Sequence, residues 1–274
     1  MTDRPLTAAA PYLSDAAARS TLGVRPLLTP GDALPVIELS REALDACGVV
    51  GFNSRDSRSR PYHLMRTQLI KLMTRNNWRM IGVTSATPGA GKTFTSVNLA
   101  AALAPTAEAP VVLCDLDLRR GSLREVLDID PEMGLSDYLE GKIDDPRDLV
   151  SRINDTQLAI VPTIPGHASS SELVSGPRFR TFMARLRAMG ESSRIVCDLP
   201  PVFASDDAML CMQELDAYIL VVDHGVSTAG QIEEAVRLLD PAPCAGTVLN
   251  RYKGGFADPY GYGYGDAYAS KYYS

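Results

Sequence analysis

Long apolar runs are absent from this sequence. It contains no stretch of about 18 consecutive apolar residues, so we expect no membrane-spanning helix. The opening segment, MTDRPLTAAAPYLSDAAARS, has no continuous apolar region of the kind found in secretion signals. Both absences favour a cytoplasmic protein, and any action at a membrane would then require a partner.

Cysteine and excess positive charge are also lacking. Only five cysteines occur among 274 residues, and none forms a C-x-x-C pair. The odd number and the scattered positions predict a reduced, cytoplasmic protein. Lys and Arg total 27 against 33 Asp and Glu, which gives a net charge of −6. That balance argues against general binding to nucleic acids or to anionic membranes.

What the sequence does contain is a regular alternation of apolar runs and helical segments after residue 79. The apolar runs are RMIGVTS, PVVLCDLD, LAIVPTI, SRIVCDLP, DAYILVVD and AGTVLN. Helices are predicted at Thr93–Ala104, Pro177–Met189 and Thr228–Leu239. This pattern predicts an α/β fold with a mostly parallel sheet and helices on both faces. Ligands of such folds bind outside the carboxyl ends of the strands.

Composition divides the chain into three parts. Residues 1–60 are predicted to be a partly disordered tail and linker, with a short helix that Ser40 caps and that ends near Ala46. Residues 61–251 are predicted to form the α/β domain, and residues 252–274 a flexible tyrosine-rich tail.

An amphipathic helix is predicted at the start of the domain, in YHLMRTQLIKLMTRNN. Its apolar face is expected to consist of Leu64, Met65, Leu69, Leu72 and Met73. Two interpretations stay open: a surface helix packed on the core, or an oligomer interface.

A phosphate-binding loop is predicted after the first strand of the domain. The segment ATPGAGKT, Ala86 to Thr93, matches G-x-x-x-x-G-K-[ST] except for its first residue. An ordinary Gly-Pro turn is the alternative, but the loop lies between a predicted strand and a predicted helix, as a phosphate loop does. The predicted nucleotide-binding residues here are Pro88, Gly89, Ala90, Gly91, Lys92, Thr93 and Phe94. Lys92 is expected to reach the β- and γ-phosphates, and Thr93 to give its hydroxyl to Mg²⁺.

Acidic residues end two other predicted strands. Asp115 and Asp117 lie two apart in an extended segment, so both carboxylates can face the same side. Asp198 closes the run RIVCD and precedes Pro200 and Pro201, which stop the strand. Solvated surface acids and a simple strand-ending turn are the alternatives. Together with the loop, these acids predict a Mg²⁺ site and a proton acceptor, and Arg119 could bind a carboxylate or a phosphate.

As a set, TPGAGKT, CDLDLRR and CDLPPV resemble the bacterial tyrosine kinases of capsule and exopolysaccharide export. The segments SSSELVSGPRFRTFMARLR and GTVLNR are similar to further family segments, and the resemblance runs from about Ser40 to Ser274, like the variant without its own membrane helices. It implies a P-loop NTPase fold of the deviant Walker type, with ATP and Mg²⁺ as cofactors. It also implies that Asn250 contacts adenine, that Thr93, Asp115 and Asp198 organise Mg²⁺, and that Lys92 stabilises the transferred phosphoryl group. Either Asp115 or Asp117 would accept the tyrosine proton.

The tail gains a role from this resemblance. The expected phosphoacceptors are Tyr260, Tyr262, Tyr264, Tyr268, Tyr272 and Tyr273. Without the upstream motifs, a low-complexity segment that binds partners would be the better interpretation. The resemblance further implies a homo-oligomer, a membrane co-polymerase or activator that recruits the chain to the inner face of the plasma membrane, and a tyrosine phosphatase. It implies no nucleic-acid partner.

The sequence departs from the family where ring contacts are usual. The family's Glu-x-x-Arg-x-x-Arg positions hold Arg60, His63 and Arg66, of which only the last matches. Two other functions therefore stay open. One is a partitioning-type ATPase, although such a loop has a second lysine where Thr87 stands. The other is a nucleotide-gated scaffold with little catalysis. For His167 and His224, surface positions are expected rather than roles as ligands.

Overall fold

The computed structural model describes residues 23–29, 31–166 and 169–252. Its helices are α1 Arg41–Ala46, α2 Arg60–Asn76, α3 Lys92–Leu103, α4 Ser122–Leu127, α5 Leu135–Leu139, α6 Ser170–Ser175, α7 Pro177–Arg187, α8 Asp207–Met212 and α9 Ala229–Leu239. Its strands are β1 Val36–Ile37, β2 Met80–Ser85, β3 Val111–Asp115, β4 Ser151–Ile153, β5 Leu158–Val161, β6 Arg194–Asp198, β7 Ala217–Asp223 and β8 Cys244–Asn250. Every predicted strand and helix is therefore present within about three residues of its expected bounds.

The strands form one sheet in the order β1-β4-β5-β3-β6-β2-β7-β8. All neighbours are parallel except β4 and β5, which run antiparallel. The central strands β2 and β3 are buried along their whole length, as continuous apolar runs between two helical layers should be. The predicted α/β class with a mostly parallel sheet is confirmed.

Two apolar clusters, one on each face of the sheet, form the core. Alternation along β3 sends Val111 and Leu113 to one face and Val112 and Cys114 to the other. The first face is covered by α2, α3 and α4, and the second by α5, α7, α8 and α9. Helix α3, which follows the phosphate loop, is buried along nearly its entire length.

Part of the predicted tail and linker packs on this core. Leu27 and Leu28 are 0% and 3% exposed, and β1 adds to the sheet beside β4. Further along, Asn98 Oδ1 accepts hydrogen bonds from the amides of Val50 at 2.8 Å and Gly51 at 3.1 Å. The described residues before 60 are thus joined to the domain by backbone and core contacts. The boundaries at residues 60 and 251 stay predictions.

Helix α2 buries a narrower face than expected. Leu69 and Met73 are buried, and Met65 and Leu72 are partly buried against the core. Leu64 is 47% exposed, so its predicted place on the apolar face is wrong. Within the described ranges, no helix combines the length and hydropathy that a bilayer crossing requires.

Candidate active site

The loop between β2 and α3 has the backbone of a phosphate cradle. Gly89 and Gly91 have φ angles of +82° and +89°, which side chains with a Cβ rarely adopt. Ser85 Oγ donates a hydrogen bond to the Thr87 carbonyl at 2.8 Å and so supports the first turn of the loop. The residues predicted from ATPGAGKT therefore form one compact loop at the amino end of α3.

The amides of this loop fit an anion. Within the part of the chain that the structure describes, no oxygen accepts a hydrogen bond from the N–H groups of Gly89, Ala90 or Gly91. These donors lie beside the first turn of α3, whose own amides have no intrahelical acceptors. Unpaired amides at a helix amino end make a site for phosphate groups.

Lys92 extends from this loop to acids that follow two different strands. Its Nζ lies 2.8 Å from Asp117 Oδ2 and 3.8 Å from Asp198 Oδ2. Burial by itself would lower the pKa of Lys92, but the carboxylates of Asp198 and Asp117 outweigh it and raise this pKa above its ordinary value. Lys92 is therefore a buried and permanently charged group at neutral pH.

Asp198 organises the polar residues of the first turns of α3. Its Oδ2 accepts a hydrogen bond from Thr93 Oγ1 at 2.6 Å, and its Oδ1 accepts one from Ser96 Oγ at 3.0 Å. Burial raises the pKa of Asp198, while Lys92, Thr93 and Ser96 act in the opposite direction without fully offsetting it. Ser96 was not predicted from the sequence; a hydroxyl four residues after Lys92 was its only signal.

Asp115 braces the chain that follows β3. Its Oδ1 accepts a hydrogen bond from the Asp117 amide at 3.1 Å, and its Oδ2 accepts one from the Leu123 amide at 2.9 Å. Burial, followed by the nearby charge of Asp198, raises the pKa of Asp115 well above the usual carboxyl range. Asp115 and Asp198 are register partners on β3 and β6, so the sheet itself brings these two predicted residues together.

The residues present fit a Mg²⁺ ion that phosphates and water help to hold. The Thr93 hydroxyl is oriented by Asp198, and a second carboxylate lies on the neighbouring strand. Among the described residues, no three His, Cys, Asp or Glu side chains form a metal cage. Mg²⁺ bound with a nucleotide does not need such a cage, because one or two protein ligands complete its octahedral shell.

Asn250 ends β8 against the phosphate loop. Its Nδ2 donates a hydrogen bond to the Ala90 carbonyl at 2.8 Å, and its Oδ1 accepts one from the Arg251 amide at 2.9 Å. The predicted nucleotide residue is thus brought to the loop, where its side chain contacts backbone. A groove of about 610 Å³ begins here and runs between α2 and β8, with Tyr62, Thr95 and Val248 in its lining.

Other predicted residues lie around this centre or outside the described part of the chain. The Phe94 ring packs edge-on against Tyr62 at 6.5 Å between centroids, and Pro88 is exposed on the loop. The backbone amide of His224 donates to the Asn250 carbonyl, and its ring meets Tyr252 edge-on. His167 and the expected phosphoacceptors Tyr260, Tyr262, Tyr264, Tyr268, Tyr272 and Tyr273 fall outside the described residues.

Arg119 has a carboxylate partner that sequence analysis missed. Its Nε lies 3.0 Å from Asp207 Oδ2 and 2.8 Å from Ser170 Oγ. At the predicted ring-contact positions, Arg66 Nη1 donates to the Ala102 carbonyl at 3.1 Å. Arg60 is exposed, and neither ring nitrogen of His63 has a partner among the described residues.

Comparisons with known proteins agree with this geometry. Residues 81–259 match the CbiA family model, described as the CobQ/CobB/MinD/ParA nucleotide binding domain. Tyrosine-protein kinase Wzc of Salmonella typhimurium is 31% identical over 206 residues, which are 72% of this chain and 28% of that protein. The chain spans just over a quarter of the length of the curated relatives that it matches.

Solved structures give the same result. The kinase domain of the Escherichia coli tyrosine kinase ETK superposes with a TM-score of 0.68 at 26% identity, covering 84% of this chain and 93% of that domain. The septum site-determining protein MinD of Pyrococcus horikoshii, complexed with Mg-ADP, has a TM-score of 0.51 at 24% identity, covering 64% of this chain and 70% of that one, and shows the fold alone. The chain therefore belongs to the CobQ/CobB/MinD/ParA family of nucleotide-binding domains, and its predicted resemblance to the bacterial tyrosine kinases is confirmed.

Proposed function

We propose that this protein is an ATP- and Mg²⁺-dependent tyrosine autokinase that phosphorylates its own C-terminal tyrosines and regulates exopolysaccharide synthesis and export. One observation supports this proposal above the others. The hydrogen bond from Asn250 to the Ala90 carbonyl holds the end of β8 against the phosphate loop. The tyrosine-rich segment starts two residues later, at the mouth of the site.

The length of the tail sets how far its tyrosines can reach. Tyr260 is the eighth residue after Tyr252, and at about 3.5 Å per extended residue it lies within roughly 28 Å of that residue. Tyr273 has a longer reach. A partitioning-type ATPase has no use for such a segment, and Thr87 replaces the second lysine expected of its loop.

The site residues have separate roles in the proposed transfer. Loop amides and Lys92 bind the phosphates and stabilise the charge that develops on the transferred group. Thr93, Asp115 and Asp198 would hold Mg²⁺, which would neutralise negative charge on the phosphates when bound. Catalysis then consists of positioning and electrostatic stabilisation.

Asp117 is the stronger candidate for the general base. Both oxygens of Asp115 accept backbone amides, whereas only Oδ2 of Asp117 has a hydrogen-bond partner among the described residues. Lys92 Nζ donates to that oxygen, and movement of Lys92 toward a phosphate would free the carboxylate to accept the tyrosine proton. Asn250 remains the proposed adenine contact, beside the groove that opens at its side chain.

Partners follow from the same proposal. We infer a homo-oligomer, recruitment to the inner face of the plasma membrane by a polysaccharide co-polymerase or activator, and a phosphatase that resets the tail. Transfer is expected in trans, because a tail anchored at Asn250 reaches a neighbouring copy's site without folding back on its own loop.

The test mixes two chains with γ-labelled ATP, neither of which can label itself. One is the full-length Lys92→Met chain, which has tyrosines but no phosphate-loop lysine. The other is a chain truncated after Arg251, which has the site but no tail. We expect label on the full-length chain only, on tyrosine, and only in the mixture.

Three results would contradict parts of this proposal. Wild-type protein that releases ADP but never labels tyrosine would favour the ATPase. Wild-type protein that binds ATP without releasing ADP would favour the nucleotide-gated scaffold. Labelling of wild type without any labelling of the mixture would show transfer in cis.

A further inference from the structure

A buried carboxylate, Asp207, joins three segments beside the active site. It is the first residue of α8 and is 2% exposed. Its Oδ2 accepts hydrogen bonds from Arg119 Nε at 3.0 Å and Ser170 Oγ at 2.7 Å. Its Oδ1 accepts one from Ser171 Oγ at 2.9 Å. The loop after β3, helix α6 and helix α8 therefore meet at one side chain.

The charge of Asp207 is maintained by these contacts. Burial alone would raise the pKa of Asp207, but hydrogen bonds from Ser170, Ser171 and Arg119 outweigh it and hold this pKa below the ordinary value. An ionised acceptor with several donors forms stronger hydrogen bonds than a neutral one. The junction is thus a stable contact at neutral pH.

Arg119 connects this junction to the catalytic acids. It lies two residues after Asp117, in a turn where the amides of Arg120 and Gly121 donate to the Asp117 carbonyl at 3.1 and 2.8 Å. A restraint on Arg119 is therefore a restraint on the turn that presents Asp117 to Lys92. No other described residue joins this turn to α8 through a side-chain ion pair.

The other side of the junction leads to the phosphate loop. The chain from Asp198 to Asp207 runs along the loop's first residues, where the Val202 amide donates to the Ser85 carbonyl at 2.9 Å and the Phe203 amide to the Ala86 carbonyl at 3.1 Å. The segment from Asp198 to Asp207 therefore contacts the phosphate loop, and Asp207 connects this segment to the turn after Asp117 through Arg119.

Arg119 would interfere with the site if it were released. Its side chain is about half exposed, and among the described residues nothing accepts a hydrogen bond from its terminal nitrogens. A free guanidinium so close in sequence to Asp117 would compete with Lys92 for that carboxylate, because arginine forms bidentate pairs with carboxylates.

We propose that Asp207 is a positioning residue for phosphoryl transfer, which holds Arg119 through Nε and thereby keeps Asp117 in place beside Lys92. This inference deepens the proposed function, and rests on it only for the identity of the phosphate acceptor. Asp207 acts through Arg119 and touches neither nucleotide nor tyrosine.

A double-mutant cycle tests the inference with Arg119→Ala, Asp207→Asn and the double variant. The measurements are kcat for ADP release, kcat for tyrosine transfer, the Kd for ATP and the thermal midpoint. Because a misplacement of catalytic groups by about 1 Å can cost about 100-fold, we expect each single variant to lose about 10- to 100-fold in kcat. The double variant should lose no more than the worse single variant, and the Kd should stay near that of wild type.

Controls separate positioning from general damage. Asp206→Asn removes the adjacent, exposed acid, which contacts only Ser171 Oγ, and should keep wild-type kcat. Asp207→Glu retains the charge and should recover part of the activity that Asp207→Asn loses. Arg119 is half exposed, so Arg119→Ala reports on the inference even if Asp207→Asn does not fold.

Losses that multiply in the double variant, or an Arg119→Ala protein with wild-type kcat, would overturn the inference. So would a Kd for ATP that rises in step with the fall in kcat. The cycle on ADP release remains informative if wild type labels no tyrosine. That result would count against the kinase proposal alone.

Discussion

Lys92 pairs with Asp117, which follows β3, rather than with Asp198, which accepts a hydrogen bond from the neighbouring Thr93. Its Nζ is 2.8 Å from Asp117 Oδ2 but 3.8 Å from Asp198 Oδ2. One buried ammonium group thus compensates acids from two strands. A nucleotide phosphate that draws Lys92 toward itself would leave these carboxylates for Mg²⁺ and for a proton.

The first prediction concerns the stability that this pairing provides. Lys92→Met should abolish phosphoryl transfer and lower the free energy of unfolding by about 3 kcal/mol, because removing one partner of a buried pair leaves a charge uncompensated. Denaturant unfolding measures the second effect. Lys142→Met is the matched control, since Lys142 forms exposed pairs with Asp137 and Glu140 that should be worth less than about 1 kcal/mol. Equal unfolding free energies for the two variants would contradict the buried pairing.

The second prediction concerns pH. Burial and Asp198 raise the pKa of Asp115, so the folded protein binds this proton more tightly than the unfolded chain does. The resulting stability is fully present below the ordinary carboxyl pKa of about 4 and is lost as pH rises through the raised pKa. The Asp115→Asn variant cannot ionise at this position, so it does not lose stability in this way as pH rises. Its free energy of unfolding, relative to wild type, should therefore rise between pH 4 and neutrality.

Asp207→Asn gives a control of opposite sign. Because the pKa of Asp207 is lowered, its contribution is present above the ordinary pKa and is lost as pH falls through the lowered value. The destabilisation of Asp207→Asn should hence shrink on acidification. Parallel pH profiles for the two variants would show that these pKa shifts do not govern stability.

The third prediction separates the two glycines of the loop. A Cβ at Gly89 meets no atom within 4 Å, whereas one at Gly91 lies 2.1 Å from Asn250 Nδ2. Both alanine variants bear the strain of a positive φ, about 1–2 kcal/mol. Gly91→Ala should lose about 1 kcal/mol more, because Asn250 must swing away and give up its hydrogen bond to Ala90.

Asn250→Ala should abolish this excess. With the hydrogen bond already lost, Gly91→Ala and Gly89→Ala should cost the same free energy of unfolding in that background. A persistent difference would mean that the Gly91 position is constrained by something other than Asn250.

The fourth prediction tests whether the segment before residue 31 belongs to the domain. Leu27 is fully buried, and its amide donates to the Arg185 carbonyl at 2.9 Å. Leu27→Ala should lower the free energy of unfolding by about 2–5 kcal/mol, as core leucine truncations do. Leu64→Ala, at an exposed position of α2, should change it by less than about 0.5 kcal/mol. An unchanged free energy of unfolding in Leu27→Ala would contradict the packing of this segment on the core.

The sequence predicted the central strands and the phosphate loop because their signals are local. Continuous apolar runs mark strands buried on both faces, and ATPGAGKT marks a loop by its own spacing. Asp115 and Asp198 were predictable as neighbours because parallel strands end at the same edge of the sheet. The roles assigned to the individual acids stay predictions.

Elements that depend on distant partners were not predictable. Strand β1 has two residues and β4 has three, too few to show an alternating pattern. The antiparallel direction of β4 is set by its pairing with β5. The contact of Asp207 with Arg119 joins residues 88 apart in the sequence, and each of them looks like a solvated charge in isolation.

The register between Asp115 and Asp198 has a consequence for how the site opens. Both residues close strands whose ladder continues through the Leu116 amide, which donates to the Asp198 carbonyl at 2.8 Å. Amide protons of β3 and β6 should exchange with solvent only through global unfolding, whereas those of residues 119–121 should exchange through local opening of their turn. The two carboxylates that are proposed to hold the metal would then keep their spacing for as long as the protein is folded.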